Sequence, residues 1–94
     1  MNLIMIFKEV LPKLEACQVV ASNHKMHKGI PDDNPHSYPG AWDCVQAMLA
    51  CKQPTQAQAQ DFIYFLLRVC GFYTEDAQEI GDNFEAAYGY KLKV

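Results

Sequence analysis

The chain is short of the features that announce a chemistry. It has no glycine-rich phosphate cradle and no catalytic or nucleotide-binding signature. Its cysteines, Cys17, Cys44, Cys51 and Cys70, include none of the close pairs from which four-thiolate zinc sites are built. Basic excess is missing too: the net charge is −3, whereas nucleic-acid binders are usually basic. Long acidic runs, which a DNA mimic needs, are absent. So are long apolar runs. The apolar segment from Asp61 to Cys70 is about ten residues with two charges, too short to span a bilayer. The apolar stretch near the N-terminus has no basic region before it and no small-residue cleavage site after it, so it does not read as a secretory signal. The expectation is a cytoplasmic protein with four free thiols and no cofactor.

What the chain does have is helical patterning. At 94 residues it is one domain, 1–94. Half of its residues are hydrophobic, enough to fold. The spacing predicts an all-α, compact four-helix arrangement. Its centre is a hydrophobic helix over about 55–70. Thr55 and Gln58 form a capping box at its start. Gly71 suits the left-handed residue that closes it, with Phe72 folding back on Leu67. At 100° per residue, Phe62, Ile63, Phe65, Leu66, Leu67, Val69 and Cys70 cover most of its circumference. Phe62, Leu66 and Val69 are expected among the most buried side chains. Asp61, Tyr64 and Arg68 share the remaining strip.

Three more helices pack around it. In the first, Leu3, Phe7, Val10, Leu14, Cys17 and Ala21 form the inward stripe. Lys8, Pro12 and Glu15 fall on the opposite face. The reading is one helix kinked at Pro12 or two short collinear ones. Ile4, Met5 and Leu11 add apolar surface that offers a route to self-association. The second helix starts at Pro39. Trp42, Val45, Met48 and Leu49 form one of its faces, with Ala41, Cys44 and Cys51 beside them. Cys44 and Cys51 then lie two turns apart, about 10 Å along the axis, too far for a mutual disulfide. The last helix is capped by Thr74 and buries Ala77, Ile80, Phe84, Ala87 and Tyr88, with Gly89 ending it. Gly81 inside it costs about 1 kcal/mol relative to alanine and is expected to mark a close helix contact.

The long 22–40 loop is the unusual segment. It holds three of the five prolines, two of the five glycines and all three histidines. Connections of this length in small domains are usually functional or disordered. His24, His27, Asp32, Asp33 and His36 are the one metal-like cluster. Their spacing fits no standard zinc site, so no metal is expected. Asn23, His24, Lys25, His27 and Lys28, with Tyr38 nearby, form a basic patch suited to an anionic ligand or a nucleic-acid backbone. His36 within reach of Cys44 would be the route to a nucleophilic thiol.

On the last helix Glu75, Glu79, Asp82 and Glu85 have no lysine or arginine near them in sequence. They read as a docking face for a basic partner. The functional expectation is a small acidic protein-binding module rather than an enzyme. It would act as an inhibitor by steric occlusion of a protein or ribonucleoprotein target, with no membrane role. Toxin-immunity proteins and phage-encoded antagonists of host defence supply the class-level analogy. The partner-binding residues would be Asn23, His24, Lys25, His27, Lys28, Asp32, Asp33, His36, Tyr38, Glu75, Glu79, Asp82 and Glu85. The alternatives are an anionic-ligand or nucleic-acid-binding protein using the His/Lys loop, and a small zinc-dependent enzyme using the His/Asp cluster.

Overall fold

The structure is a computed structural model. It describes the backbone of residues 3–24 and 38–94, and the side chains of 3–15 and 38–94. Four α-helices account for most of these residues: α1 (Leu3–His24), α2 (Pro39–Leu49), α3 (Gln56–Arg68) and α4 (Thr74–Tyr88). No strand occurs among the described residues. The tightest seams are α2–α3, α1–α2 and α3–α4, so α2 and α3 each share in two; α3 carries the most buried side chains among the described residues and is the hub that the sequence placed at the centre.

The hub forms where its caps say it should. Gln58 N–H donates to Thr55 Oγ1 at 3.1 Å, and Thr55 N–H donates to Gln58 Oε1 at 2.9 Å. Both arms of the capping box are therefore made, satisfying amides that a helix start otherwise orphans. Ala59, Phe62, Ile63, Phe65 and Leu66 are buried. Phe62 meets Phe7 of α1 at 4.8 Å between ring centroids and Phe84 of α4 at 6.2 Å. Phe7 and Phe84 lie 6.2 Å apart, which closes a triangle of rings joining three helices. Such tilted and edge-on pairs each add about 0.5–1.5 kcal/mol beyond their burial.

Several details differ from expectation. Val69 is half-buried because the helix proper ends at Arg68 and Val69 is its C-cap. Gly71 is left-handed, φ 72°, as required. The closing bond runs from Phe72 N–H to Leu66 O at 2.9 Å. Cys70 N–H has already reached back to Phe65 O at 3.1 Å, which loosens the last turn by one residue.

Helix α1 runs through Pro12 without a break. The proline is exposed, on the solvated face where the sequence placed it. Ile6 is buried beside Phe7, Val10 and Leu14, although the sequence stripe did not include it, while Leu3 is only partly covered. The helix also continues through Ser22, Asn23 and His24. None of these stops a helix; each costs only about half a kcal/mol relative to alanine. At the other end of the connection, Pro39 and Gly40 already belong to α2. Loop residues 25–37 lie outside the described residues.

Helix α2 buries Ala41, Cys44 and Val45, and half-covers Trp42, Met48 and Leu49. Cys51 is not on this helix. Lys52 N–H bonds Ala47 O at 2.8 Å and Cys51 N–H bonds Met48 O at 3.1 Å. That is a Schellman ending in which Cys51 takes the left-handed position, φ 57°. Helix α4 is preceded by Tyr73 as N-cap, so Thr74 is its first turn rather than its cap. Ala87, expected inside, is exposed, and Gly81 is buried in its place. Gly81 faces not a helix but the C-terminal residues: a Cβ there would meet Val94 at 3.7 Å.

Candidate functional site

Helices α1 and α4 face each other across one of the looser seams. Two hollows open along it. The first, about 450 Å³, is lined by Ile6 and Glu9 of α1, by Gly71, Phe72 and Tyr73 of the α3–α4 corner, and by Asp76, Glu79, Ile80 and Asn83 of α4. The second is shallower and runs from Leu3 and Ile4 to Met48, Asn83, Ala86, Ala87 and Tyr88. Low numbers on α1 therefore oppose high numbers on α4: the two helices are antiparallel, and Asn83 separates the hollows.

Helical spacing explains the lining of the first cleft. Asp76, Glu79, Ile80 and Asn83 recur at i, i+3, i+4 and i+7, one stripe of α4. This stripe sits beside the buried one, Ala77, Ile80 and Phe84, and shares Ile80 with it. The floor is apolar: Ile6 and Ile80 are buried, and Phe72 is half-buried. The rim is anionic: Glu9 stands on the α1 bank, Asp76 and Glu79 on the α4 bank, all three exposed. Among the described residues no lysine, arginine or histidine lines the cleft. Lys8 and Lys13, the exposed cations of α1, are outside the lining.

Tyr73 stands at the lip, 75% exposed, the most exposed of the large apolar residues described. Its backbone is nonetheless fixed on both sides. Phe72 N–H bonds Leu66 O at 2.9 Å, and Tyr73 O accepts from Ala77 N–H at 3.0 Å.

Glu75, Glu79, Asp82 and Glu85 are all exposed, as expected. They do not form a single site. Only Glu79 lines the cleft. At 100° per residue Glu75 and Asp82 lie about 40° and 60° round the helix from it, and Glu85 about 120°. Asp82 also accepts a hydrogen bond from Gln78 Nε2 at 2.9 Å. Sequence reasoning missed Glu9, Phe72, Tyr73 and Asp76. Asp76 was legible only as a helix-dipole charge. Its place four residues before Ile80 marked the edge of the buried stripe and could have flagged it. Glu9, on another helix, gave no local signal.

The loop side of the expected site falls differently. Asn23 and His24 are helical backbone at the end of α1. Lys25, His27, Lys28, Asp32, Asp33 and His36 lie outside the described residues. Tyr38 is a correction: it is buried rather than offered to a partner. Its hydroxyl accepts from Arg68 Nη1 at 2.9 Å, and the guanidinium lies 5.0 Å from the Tyr64 ring centroid and 6.0 Å from that of Tyr38. The strip of Asp61, Tyr64 and Arg68 thus holds the entry into α2.

Cys44 and Cys51 are free thiols; the side chain of Cys17 is outside the described set. Cys44 is fully buried, and burial pushes its thiol up to about 12. A thiol so placed stays protonated at neutral pH and is a poor nucleophile. Among the described residues no three histidine, cysteine, aspartate or glutamate side chains gather as a metal site. Nor, among them, is any helix long and apolar enough to cross a membrane. A comparison of the chain with protein-family models, with curated proteins and with solved structures finds no match.

Proposed function

We propose that this protein is a small acidic binding module whose working face is the α1–α4 cleft with the adjoining flank of α4, and that it acts by covering a functional surface of a basic macromolecular partner. The observation that carries this reading is the pairing of an apolar floor (Ile6, Phe72, Ile80) with a rim of carboxylates (Glu9, Asp76, Glu79). An apolar centre inside a charged rim is the layout of a protein interface. Same-sign charges at the rim speed encounter with an oppositely charged partner and turn away acidic ones. Steric occlusion needs only a rigid body of suitable shape, and the helical core supplies that. Such a module would be an antagonist of its target.

The test is capture from host lysate. The full chain and its Glu75→Lys/Glu79→Lys/Asp82→Lys variant are immobilised at equal density and washed at low and at high salt. The three positions are exposed, so the variant's stability should stay within about 0.5 kcal/mol per site of the parent. The expected outcome is a basic partner retained stoichiometrically by the parent at low salt and lost with the variant. Equal capture by both, or a partner indifferent to salt, would contradict the proposal.

A further inference from the structure

Resting on that reading, we infer that the α1–α4 cleft takes one large apolar side chain of its partner, flanked on both sides by lysine or arginine. Three observations converge on this occupant. The first is size. A hollow of about 450 Å³ bounded by Ile6, Phe72 and Ile80 admits an anchoring side chain but not an entire helix.

The second is the placement of charge. Glu9 lies on one bank, and Asp76 and Glu79 on the other. A segment crossing the cleft meets carboxylate before and after its anchor, so cations are wanted on both sides of that anchor. Each exposed pair is individually weak, about 0.2–1 kcal/mol. Three acting together on one ligand reach about a tenfold preference in affinity. The same charges argue against a second copy of this chain as occupant, because its net charge is −3.

The third is Tyr73. Tyr73 is 75% exposed and lines the cleft beside Ile6, Phe72 and Ile80, so a side chain seated on that floor would also cover its ring. Its flanking backbone is tied to Leu66 O and Ala77 N–H. The backbone is therefore ordered before binding, and a tyrosine has only two side-chain torsions left to fix, the economy of an interface anchor. Gly71, left-handed at φ 72°, sets the turn that brings Phe72 to the floor and Tyr73 to the lip.

The test uses the full chain, isotope-labelled, titrated with synthetic peptides and followed by amide chemical shifts. One peptide carries a central leucine between arginines. A second replaces that leucine with alanine, and a third replaces the arginines with glutamates. The inference expects saturable binding of the first, with shifts centred on Glu9, Gly71, Phe72, Tyr73, Asp76, Glu79 and Asn83. Each of the other peptides should bind about tenfold more weakly. The Glu9→Gln/Asp76→Asn/Glu79→Gln protein, and separately Tyr73→Ala, should weaken the first peptide while leaving shifts elsewhere unchanged. The inference is overturned if the first peptide fails to saturate or maps to another surface. It is overturned equally if the alanine peptide binds as well, which would make this a generic acidic patch, or if the shifts follow protein dilution, which would make the occupant a second copy. Lysate capture separates the two proposals. A partner retained equally by the parent and the Glu9→Gln/Asp76→Asn/Glu79→Gln protein, yet lost with Glu75→Lys/Glu79→Lys/Asp82→Lys, keeps an acidic binding face on the flank of α4 and removes the cleft and its anchor.

Discussion

The carboxylate of Asp61, in the middle of α3, accepts the backbone N–H of Gly40 at the start of α2 over 3.1 Å. Helix α2 has no side-chain cap of its own; Tyr38, its N-cap residue, makes no capping bond. Its first free amides would otherwise need water, and Asp61 supplies both an acceptor and a negative charge at the positive end of the helix. The approach is close enough that Gly40 has no room for a side chain. A Cβ there would lie 2.8 Å from Asp61 Oδ2 and 3.0 Å from the Gln58 Cα.

Gly40→Ala should therefore destabilise the protein. Alanine normally gains about 1 kcal/mol over glycine inside a helix. Here the clash involves backbone as well as carboxylate, and overpacking typically costs about 1–3 kcal/mol. The net expectation is a loss of about 1–2 kcal/mol in urea melts. Asp61→Ala should cost about 1 kcal/mol for the missing cap. The two losses should not add in the double variant, since each disrupts the same contact. Full additivity would show that Asp61 and Gly40 act independently.

Cys51 offers the opposite case. It holds φ 57° at the Schellman position closing α2, where glycine is the usual occupant. Left-handed backbone costs a residue with a Cβ about 1–2 kcal/mol. Part of that returns as the greater unfolded-state freedom of glycine. Cys51→Gly should stabilise by about 0.5–1 kcal/mol, and Cys51→Ala should change little. A thermal melt comparing the three proteins decides it: a lower midpoint for Cys51→Gly than for Cys51→Ala would rule out backbone strain at this site.

Cys44 makes the alkaline stability pH-dependent. Its thiol titrates near 9.0 when exposed and near 12 in the folded protein, because burial disfavours the thiolate. Between those values the unfolded chain has released a proton that the folded chain retains. The stabilisation is complete below the unfolded pKa and is lost as pH rises toward the folded one, by about 1.4 kcal/mol per pH unit at the steepest. Cys44→Ala should lower stability at neutral pH by emptying a buried site, yet decline less steeply from pH 9 upward. Parallel urea-melt series from pH 7 to pH 10.5 would show it; identical slopes for the two proteins would mean that Cys44 does not contribute.

The parts of this fold legible in the sequence are those decided within one helix. Thr55 and Gln58 announce a capping box because both partners lie three residues apart. Phe62, Ile63, Phe65 and Leu66 announce burial because only Tyr64 interrupts them. Val69 and Ala87 were misplaced because each sits at a helix end, where a difference of one or two residues turns a side chain toward solvent. The cleft was half-legible. Glu79 belongs to an acidic run visible in the sequence, whereas Glu9 reaches the site only because α1 and α4 are antiparallel across a loose seam. Asp61 was assigned to a solvated strip, since nothing local says that a helix start lies against it. Tyr38 read as a loop residue for the same reason: Arg68 and Tyr64, which cover it, are far along the chain.

Gly81 looked from the sequence like the counterpart of Gly40, a glycine kept so that two helices can approach. Its surroundings say otherwise. The nearest atom to a Cβ built there is the Val94 Cγ2 at 3.7 Å, an ordinary van der Waals distance. Val94 follows a segment that is itself tied down. Gln60 Nε2 donates to Lys93 O and Lys93 N–H donates to Gln60 Oε1, both at 2.7 Å, while Tyr90 O–H donates to Pro54 O at 2.8 Å. An added methyl would meet Val94 in contact rather than in collision. Gly81→Ala should then realise the helix-propensity gain, about 0.5–1 kcal/mol, and show it as a higher urea midpoint with an unchanged slope. Tyr90→Phe in the same background should remove about 1 kcal/mol by leaving Pro54 O without its donor. A Gly81→Ala protein less stable than the parent would mean that the residues following Tyr90 press on α4 more tightly than these distances allow.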